Sequence, residues 1–213
     1  MKKIFIIALS VVALAVSSCA DFLNTSPQGS PTAGTFFQND DQAVSFAKGL
    51  YERYSGEWLY GRNIMWEQIA ANDFVLGRTS ADRFSGALMT ITGDEGSIAE
   101  IYNGCYTQMA NAQWGIQKLE AKKAAQGLTE IETRTLGEAY FFRAFDYFIL
   151  VQTYGGVPLD LGAGELKFNT SSVRTSVRNT VPEVYAAIFG DLEKAVNDLP
   201  ENPRLTGTAT KNL

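Results

Sequence analysis

Four stretches of this chain space their apolar residues three and four positions apart, and that period leaves few folds open. In the first, Asp40 is positioned to cap a helix carrying Ala43, Phe46, Ala47, Leu50, Tyr51 and Tyr54, and Gly56 ends it. The second opens on a capping-box pattern, Ser97 with Glu100, and continues through Ile98, Ile101, Tyr102, Cys105, Met109, Ala112, Ile116 and Leu119 to Gly127. A third begins at Thr129 with Glu132 and runs through Ile131, Leu136, Tyr140, Ala144, Tyr147 and Val151 to a sharp break at Gly155-Gly156 and Pro158. The last is capped by Thr180 and Glu183, carries Val184, Tyr185, Ile188, Leu192, Ala195, Val196 and Leu199, and closes at Pro200. Strand signals are few, so the expected fold is all-α, a right-handed stack of helix pairs, with Gly137, Ala139 and Ala144 allowing close approach. A shorter apolar segment surrounds Ile64 to Ala71, and residues 72–96 read as a loop.

The third stripe is unusual in carrying aromatics on nearly every face: Tyr140, Phe141, Phe142, Phe145, Tyr147 and Phe148. Such a helix is expected to be buried on several sides, in the middle of the stack, and Trp114 is assigned to the core with it. Arg143 lies within this helix, so its cation requires a carboxylate or carbonyl partner, with Glu138, Asp146 and Asp191 as candidates. Cys105 falls on an apolar face and is expected to be a small buried residue.

Ahead of the helices, Lys2 and Lys3 precede the apolar run Ile4 to Val16, which leads to Val16-Ser17-Ser18-Cys19. That run is too short to span a bilayer as a mature helix and has the form of an export signal over residues 1–18. Small residues directly before a cysteine resemble the bacterial lipobox, which makes Cys19 the expected lipidation site and new amino terminus. Each acyl methylene then adds about 0.8 kcal/mol of membrane affinity. An ordinary secretory signal, with Cys19 incidental, is the alternative. Residues 19–38 are expected to form an extended tether, since Asp21 to Thr35 is rich in Pro, Gly, Ser and Thr and has no apolar period. Residues 39–213 make up the helical domain.

Composition removes several functions. The 213 residues include no His, which excludes serine–histidine triads, cysteine–histidine dyads and HExxH zinc sites. The balance of 18 basic to 23 acidic residues gives a net charge of −5 without a basic cluster, so no nucleic acid is expected as a ligand. Gly155-Gly156 ends a helix and belongs to no phosphate loop. The loop acids lack EF-hand spacing, and no cofactor or metal is implied.

The segment LGEAYFFRAFDYFILVQTYGGVPL (Leu136 to Leu159) resembles the signature helix and Gly-Gly-Val-Pro turn of the SusD/RagB family. CADFLNTSP (Cys19 to Pro27) resembles that family's lipidated start, and TVPEVYAAIFGDLEKAVNDLP (Thr180 to Pro200) is similar to a further family helix. TGTATKNL (Thr206 to Leu213) resembles the approach to the next one. The resemblance implies a tetratricopeptide-like helix-pair stack with irregular loop insertions, seen here in its amino-terminal part. It also implies a glycan-binding lipoprotein of the cell outer membrane, lipid-anchored and surface-exposed. Such a protein captures oligosaccharide or polysaccharide, in some members peptide, and passes it to a SusC-like TonB-dependent transporter. It is not an enzyme. The alternative is a helical scaffold that docks the transporter without holding ligand itself.

Sugar binding needs flat apolar faces for the C–H side of a pyranose and planar polar groups for its hydroxyls. Trp58, Tyr60 and Trp66 fall in or beside the first loop region, and Asp73, Arg78, Arg83 and Phe84 in the second, and these are the candidate glycan-binding residues. Each has a plainer reading: Trp66 as core, Arg78 and Arg83 as solvated charges or partners of Asp82 and Asp94. A glycosidase would need a pair of carboxylates, and Asp73, Asp82, Asp94 and Glu95 are ordinary loop acids.

Overall fold

The computed structural model describes residues 36–56, 58–61, 90, 92, 96–161 and 177–202. The segment expected around Ile64 to Ala71 and the loop after it lie outside these, as do residues 1–35. The chain divides after Gln38, and the helices all belong to the unit that starts at Asn39. Among the described residues there are four helices and no strand: α1 (Asp40–Tyr54), α2 (Gly96–Gln126), α3 (Glu130–Tyr154) and α4 (Val181–Asp198).

Each helix starts and stops for a local chemical reason. α1 is capped by Asn39 rather than by Asp40: the Asn39 side chain accepts the Gln42 N–H at 3.0 Å. Asp40 and Asp41 occupy the first turn, and Arg53 the last, where each charge complements the helix dipole. α2 begins at Gly96, one residue before the expected Ser97 cap, and is followed by Gly127 at φ 81, whose N–H donates to the Lys123 carbonyl at 3.1 Å. The expected box at Thr129 opens α3, with the Thr129 hydroxyl accepting the Glu132 N–H at 3.1 Å and the Glu132 carboxylate accepting the Thr129 N–H at 3.1 Å. At α4 the Thr180 N–H and hydroxyl both donate to the Glu183 carboxylate, at 2.7 and 2.9 Å, and Pro182 sits in the first turn, where its missing N–H costs nothing. Those bonds hold the Glu183 carboxyl below its ordinary range.

The three-residue link between α2 and α3 makes them a packed hairpin, and α3 touches all three other helices. That central position accounts for its sequence. Leu136, Ala139, Tyr140, Phe142, Ala144, Tyr147, Ile149, Leu150 and Val151 are buried, so no single stripe separates inside from outside. Arg143 is 3% exposed, and Asp191 of α4 closes on it in a fork, Nε to Oδ2 and Nη2 to Oδ1, both at 2.6 Å. The Gln113 amide oxygen takes an Nη1 proton, and the Tyr140 ring lies 5.4 Å from the guanidinium carbon. Of the three carboxylates considered, Asp191 is the partner. At Gly137 the end of α4 comes close to α3: a Cβ there would stand 3.0 Å from Leu199 Cγ and 3.1 Å from Asp198 Cβ.

The aromatic helix differs from expectation on one face. Phe141 and Phe145 are half-buried and Phe148 is exposed; spaced four and three apart, they share one side of α3, where Phe145 also meets Tyr54 of α1 at 5.5 Å. Trp114 is likewise half-buried, on the surface seam of α1 and α2. On α4, Val184, Ile188, Asp191 and Ala195 face inward, while Phe189 and Val196 are exposed, so Val196 leaves the expected stripe.

The Gly-Gly-Val-Pro turn is fixed from three sides. Gly155 takes φ 73, and a Cβ on Gly156 would lie 2.1 Å from the Asn179 carbonyl oxygen, so the second glycine is required by backbone contact. Val157 is buried, and its carbonyl accepts the Asn179 N–H at 3.2 Å. The Tyr106 hydroxyl donates to the Pro158 carbonyl at 2.8 Å, and the Asp160 N–H donates to the Tyr147 hydroxyl at 2.7 Å. Burial pushes the Tyr147 hydroxyl up to about 12, which keeps it protonated at any physiological pH.

Candidate functional site

The candidate site begins at the turn that leaves α1. Its backbone folds back on itself: the Gly56 N–H donates to the Arg53 carbonyl, Tyr60 N–H to the Tyr54 carbonyl at 3.2 Å, and Gly61 N–H to the Gly56 carbonyl at 3.0 Å. A Cβ on Gly61 would stand 2.7 Å from the oxygens of Ser55 and Gly56, so only glycine closes this turn. Within it Leu59 is fully buried and anchors the loop, which leaves Trp58 and Tyr60 to diverge on either side.

Their environments separate two residues that look alike in sequence. Trp58 is half-buried; its indole N–H donates to the Arg53 carbonyl at 2.7 Å, and its six-membered ring lies over Gly104 of α2, where a Cβ would come within 2.1 Å. Tyr60 is 54% exposed. Its ring runs nearly parallel to Phe145, 6.4 Å between centroids and 13° between planes, and Phe145 to Phe141 at 6.0 Å and 8°. Three near-parallel rings thus lie along one side of α3, two of them apolar and one with a phenolic edge. Phe141 and Phe145 were not among the candidate residues. Their four-residue spacing was visible, but in a helix with aromatics all round nothing marks which of them is only half-buried.

Beneath this surface the Tyr54 ring stacks on Phe142, 5.0 Å and 21°, and its hydroxyl donates to Asp146 Oδ1 at 2.8 Å. Asp146 is fully buried, and that burial pushes its carboxyl well above the usual range, against the opposing pull of the Tyr54 hydrogen bond, Arg53 and the Cys105 thiol. Burial likewise raises the Tyr54 hydroxyl far above its ordinary value. Cys105 is buried as expected. One turn back along α1 the Gln108 amide donates to the Leu50 carbonyl at 2.8 Å, so α1 is tied by hydrogen bonds to both α2 and α3 directly under the turn. These groups hold the platform; none reaches its surface.

Trp66, Asp73, Arg78, Arg83 and Phe84 lie outside the described residues, as does Cys19. Among the described residues no group of three His, Cys, Asp or Glu side chains is placed to hold a metal ion, and no helix is long and apolar enough to cross a membrane.

Known proteins share the helical arrangement of the described residues. A family model described as "Starch-binding associating with outer membrane" matches residues 21–212, and the chain belongs to this SusD-like family. A SusD-like protein of Formosa agariphila is 26% identical over 200 residues, covering 93% of this chain and 38% of the relative. One from Bacteroides ovatus is 24% identical over 214 residues, again 98% of this chain against 38% of the relative. The chain therefore spans well under half the length of these curated relatives. Among solved structures, a SusD superfamily protein from Bacteroides vulgatus superposes with TM-score 0.69 at 21% identity, over 83% of this chain and 38% of that one. A crystal structure with xylogluco-oligosaccharide gives TM-score 0.64 at 22% identity, over 79% and 32%. At these identities the structural likeness concerns the fold, a helical stack of the tetratricopeptide-like kind that the family resemblance implied.

Proposed function

We propose that this chain is the amino-terminal part of a surface lipoprotein that binds glycans at the outer membrane and hands them to a SusC-like TonB-dependent transporter. The family match over residues 21–212 carries this reading, and the crystal structure of a relative with xylogluco-oligosaccharide supports a glycan as the ligand class. Binding without turnover fits a chain that has no His. In this reading Tyr60 offers its ring to the C–H face of a sugar, Trp58 holds the turn and contributes its exposed edge, and Trp66, Asp73, Arg78, Arg83 and Phe84 complete the site. Removal of residues 1–18 takes Lys2 and Lys3 with it, leaving 16 basic to 23 acidic residues on a chain anchored through acylated Cys19.

Affinity gel electrophoresis of residues 20–213 against plant, host and microbial polysaccharides tests the reading. Retardation by one class, lost in Tyr60→Ala and Arg78→Ala, is the expected result. A folded chain that no polysaccharide retards, yet that binds the transporter, would leave the scaffold alternative standing.

A further inference from the structure

A buried carboxyl with one oxygen unpaired lies under the candidate site. Asp146 of α3 is fully buried, its Oδ1 takes the Tyr54 hydroxyl proton at 2.8 Å, and its Oδ2 has no hydrogen-bond partner among the described residues. An ionised carboxylate has room for about four donors, and burying one without them costs far more than burying the neutral acid. No described cation pairs with Asp146 to offset that cost. α1 brings Tyr54 and Arg53, the latter exposed and acting on the carboxyl without closing on it. α2 brings the Cys105 thiol, a weak donor. Within α3, Arg143 is one turn away, and it is held by Gln113 and by Asp191, the carboxylate that α4 contributes.

Tyr54 joins this carboxyl to the turn. It is the last residue of α1, and its carbonyl accepts the Tyr60 N–H at 3.2 Å. Its ring is 5.0 Å from Phe142, 5.9 Å from Trp58 and 6.5 Å from Tyr60. The residue before it, Arg53, supplies the carbonyl that holds the Trp58 indole at 2.7 Å. Both aromatics of the turn therefore hang from the last two residues of α1, and the hydroxyl of the final one is fixed by Asp146.

We infer that Asp146 is a proton-operated latch for the Trp58–Tyr60 turn. Protonated, it keeps Tyr54 in place and with it the backbone and rings of the turn. When it gives its proton to solvent, the new charge needs water, which enters at the end of α1 and loosens the turn. The direction follows from burial, which raises the carboxyl against the opposing pull of Tyr54, Arg53 and Cys105. Holding is complete below the unfolded value of about 3.9 and is lost as pH rises through the folded one. That the latch governs ligand rests on the glycan-binding reading; its effect on the turn does not.

The test is an NMR titration of residues 20–213 without ligand, from about pH 4 to pH 9. It follows the Asp146 carboxyl carbon together with the Trp58 indole N–H and the Tyr60 and Gly61 amides. All four are expected to move with one midpoint well above about 3.9. Asp146→Asn is expected to erase that midpoint from the turn, and Tyr54→Phe, which keeps the ring and removes the hydroxyl, to uncouple the turn from the carboxyl. A carboxyl that titrates near about 3.9, one that stays protonated throughout, or turn signals indifferent to its midpoint would overturn the latch. Polysaccharide retardation at both ends of the range then separates the two readings. Affinity about threefold or more weaker at the alkaline end, and constant in Asp146→Asn, is expected. Equal retardation in the parent at both ends would overturn control of the ligand, and none at either end would count against the glycan reading while the titration decides the latch.

Discussion

Removing the Asp191 carboxylate is the sharpest test of how this stack is held together. Arg143 and Asp191 are 3% and 4% exposed at their side chains, and the carboxylate receives two guanidinium protons at 2.6 Å. In Asp191→Ala the guanidinium keeps the Gln113 amide oxygen and the Tyr140 ring but loses its counter-charge. Breaking a buried pair from one side costs about 3–5 kcal/mol, because the remaining charge stays desolvated. For a chain of this length each kcal/mol lowers Tm by roughly 2–4 °C, so a fall of about 6–20 °C is expected. The double variant Arg143→Met, Asp191→Leu removes both charges at similar volume and is expected within about 1 kcal/mol of the parent, or above it. Urea unfolding of the parent, Arg143→Met, Asp191→Leu and the double variant closes the cycle and gives the coupling directly. If Asp191→Ala costs less than about 1 kcal/mol, or the double variant falls as far as the single ones, the pair is not the buried, mutually dependent element described above.

Three further outcomes follow from individual contacts. Gly104→Ala puts a Cβ 2.1 Å from the Trp58 ring, so the indole is expected to leave its place and its bond to Arg53; a red shift in tryptophan emission and a loss of about 1–3 kcal/mol would show it, and an unchanged spectrum would contradict it. Thr129→Ala removes the cap of α3 together with the 2.6 Å bond from the Thr129 hydroxyl to Asp40 of α1, and a cost of about 1 kcal/mol is expected by thermal melting. Asp146→Asn concerns pH. The Asp146 carboxyl titrates higher in the fold than in the unfolded chain, so its contribution is complete below the unfolded value of about 3.9 and is lost as pH rises through the folded one. The Asn variant still accepts the Tyr54 hydroxyl proton and carries no charge, so its stability relative to the parent should grow between pH 4 and pH 8; a constant difference in urea midpoints would refute the assignment.

Much of the fold was legible because helices announce themselves locally. Caps and glycine stops act within four residues, which is why the starts of α3 and α4 and the glycine after α2 fell where the sequence put them. Asn39 displaced Asp40 as the cap of α1, a shift of one position between two residues of equal capping power. Most of the buried residues of α1 and α2 followed from period, since each helix keeps one buried stripe: Ala43, Ala47, Leu50 and Tyr54 on α1, and Ile101, Cys105, Met109, Ala112, Ile116 and Leu119 on α2. The candidate site was less legible. Trp58 and Tyr60 stand two residues apart in one glycine-flanked turn, and nothing local tells which ring is pressed onto Gly104 and which faces solvent.

The order and length of the helices, the need for a partner to Arg143 and the absence of histidine chemistry were determined by sequence, because each rests on residues a few positions apart or on composition. Which carboxylate met Arg143, which aromatics of α3 are only half-buried or exposed, and that Trp114 is half-buried beside Phe46 were decided only in three dimensions. Those outcomes depend on residues 48 or more positions apart, as Arg143 and Asp191 are, and on which neighbouring helix covers a given face. A periodic stripe records that a face is apolar; packing alone decides what, if anything, lies against it.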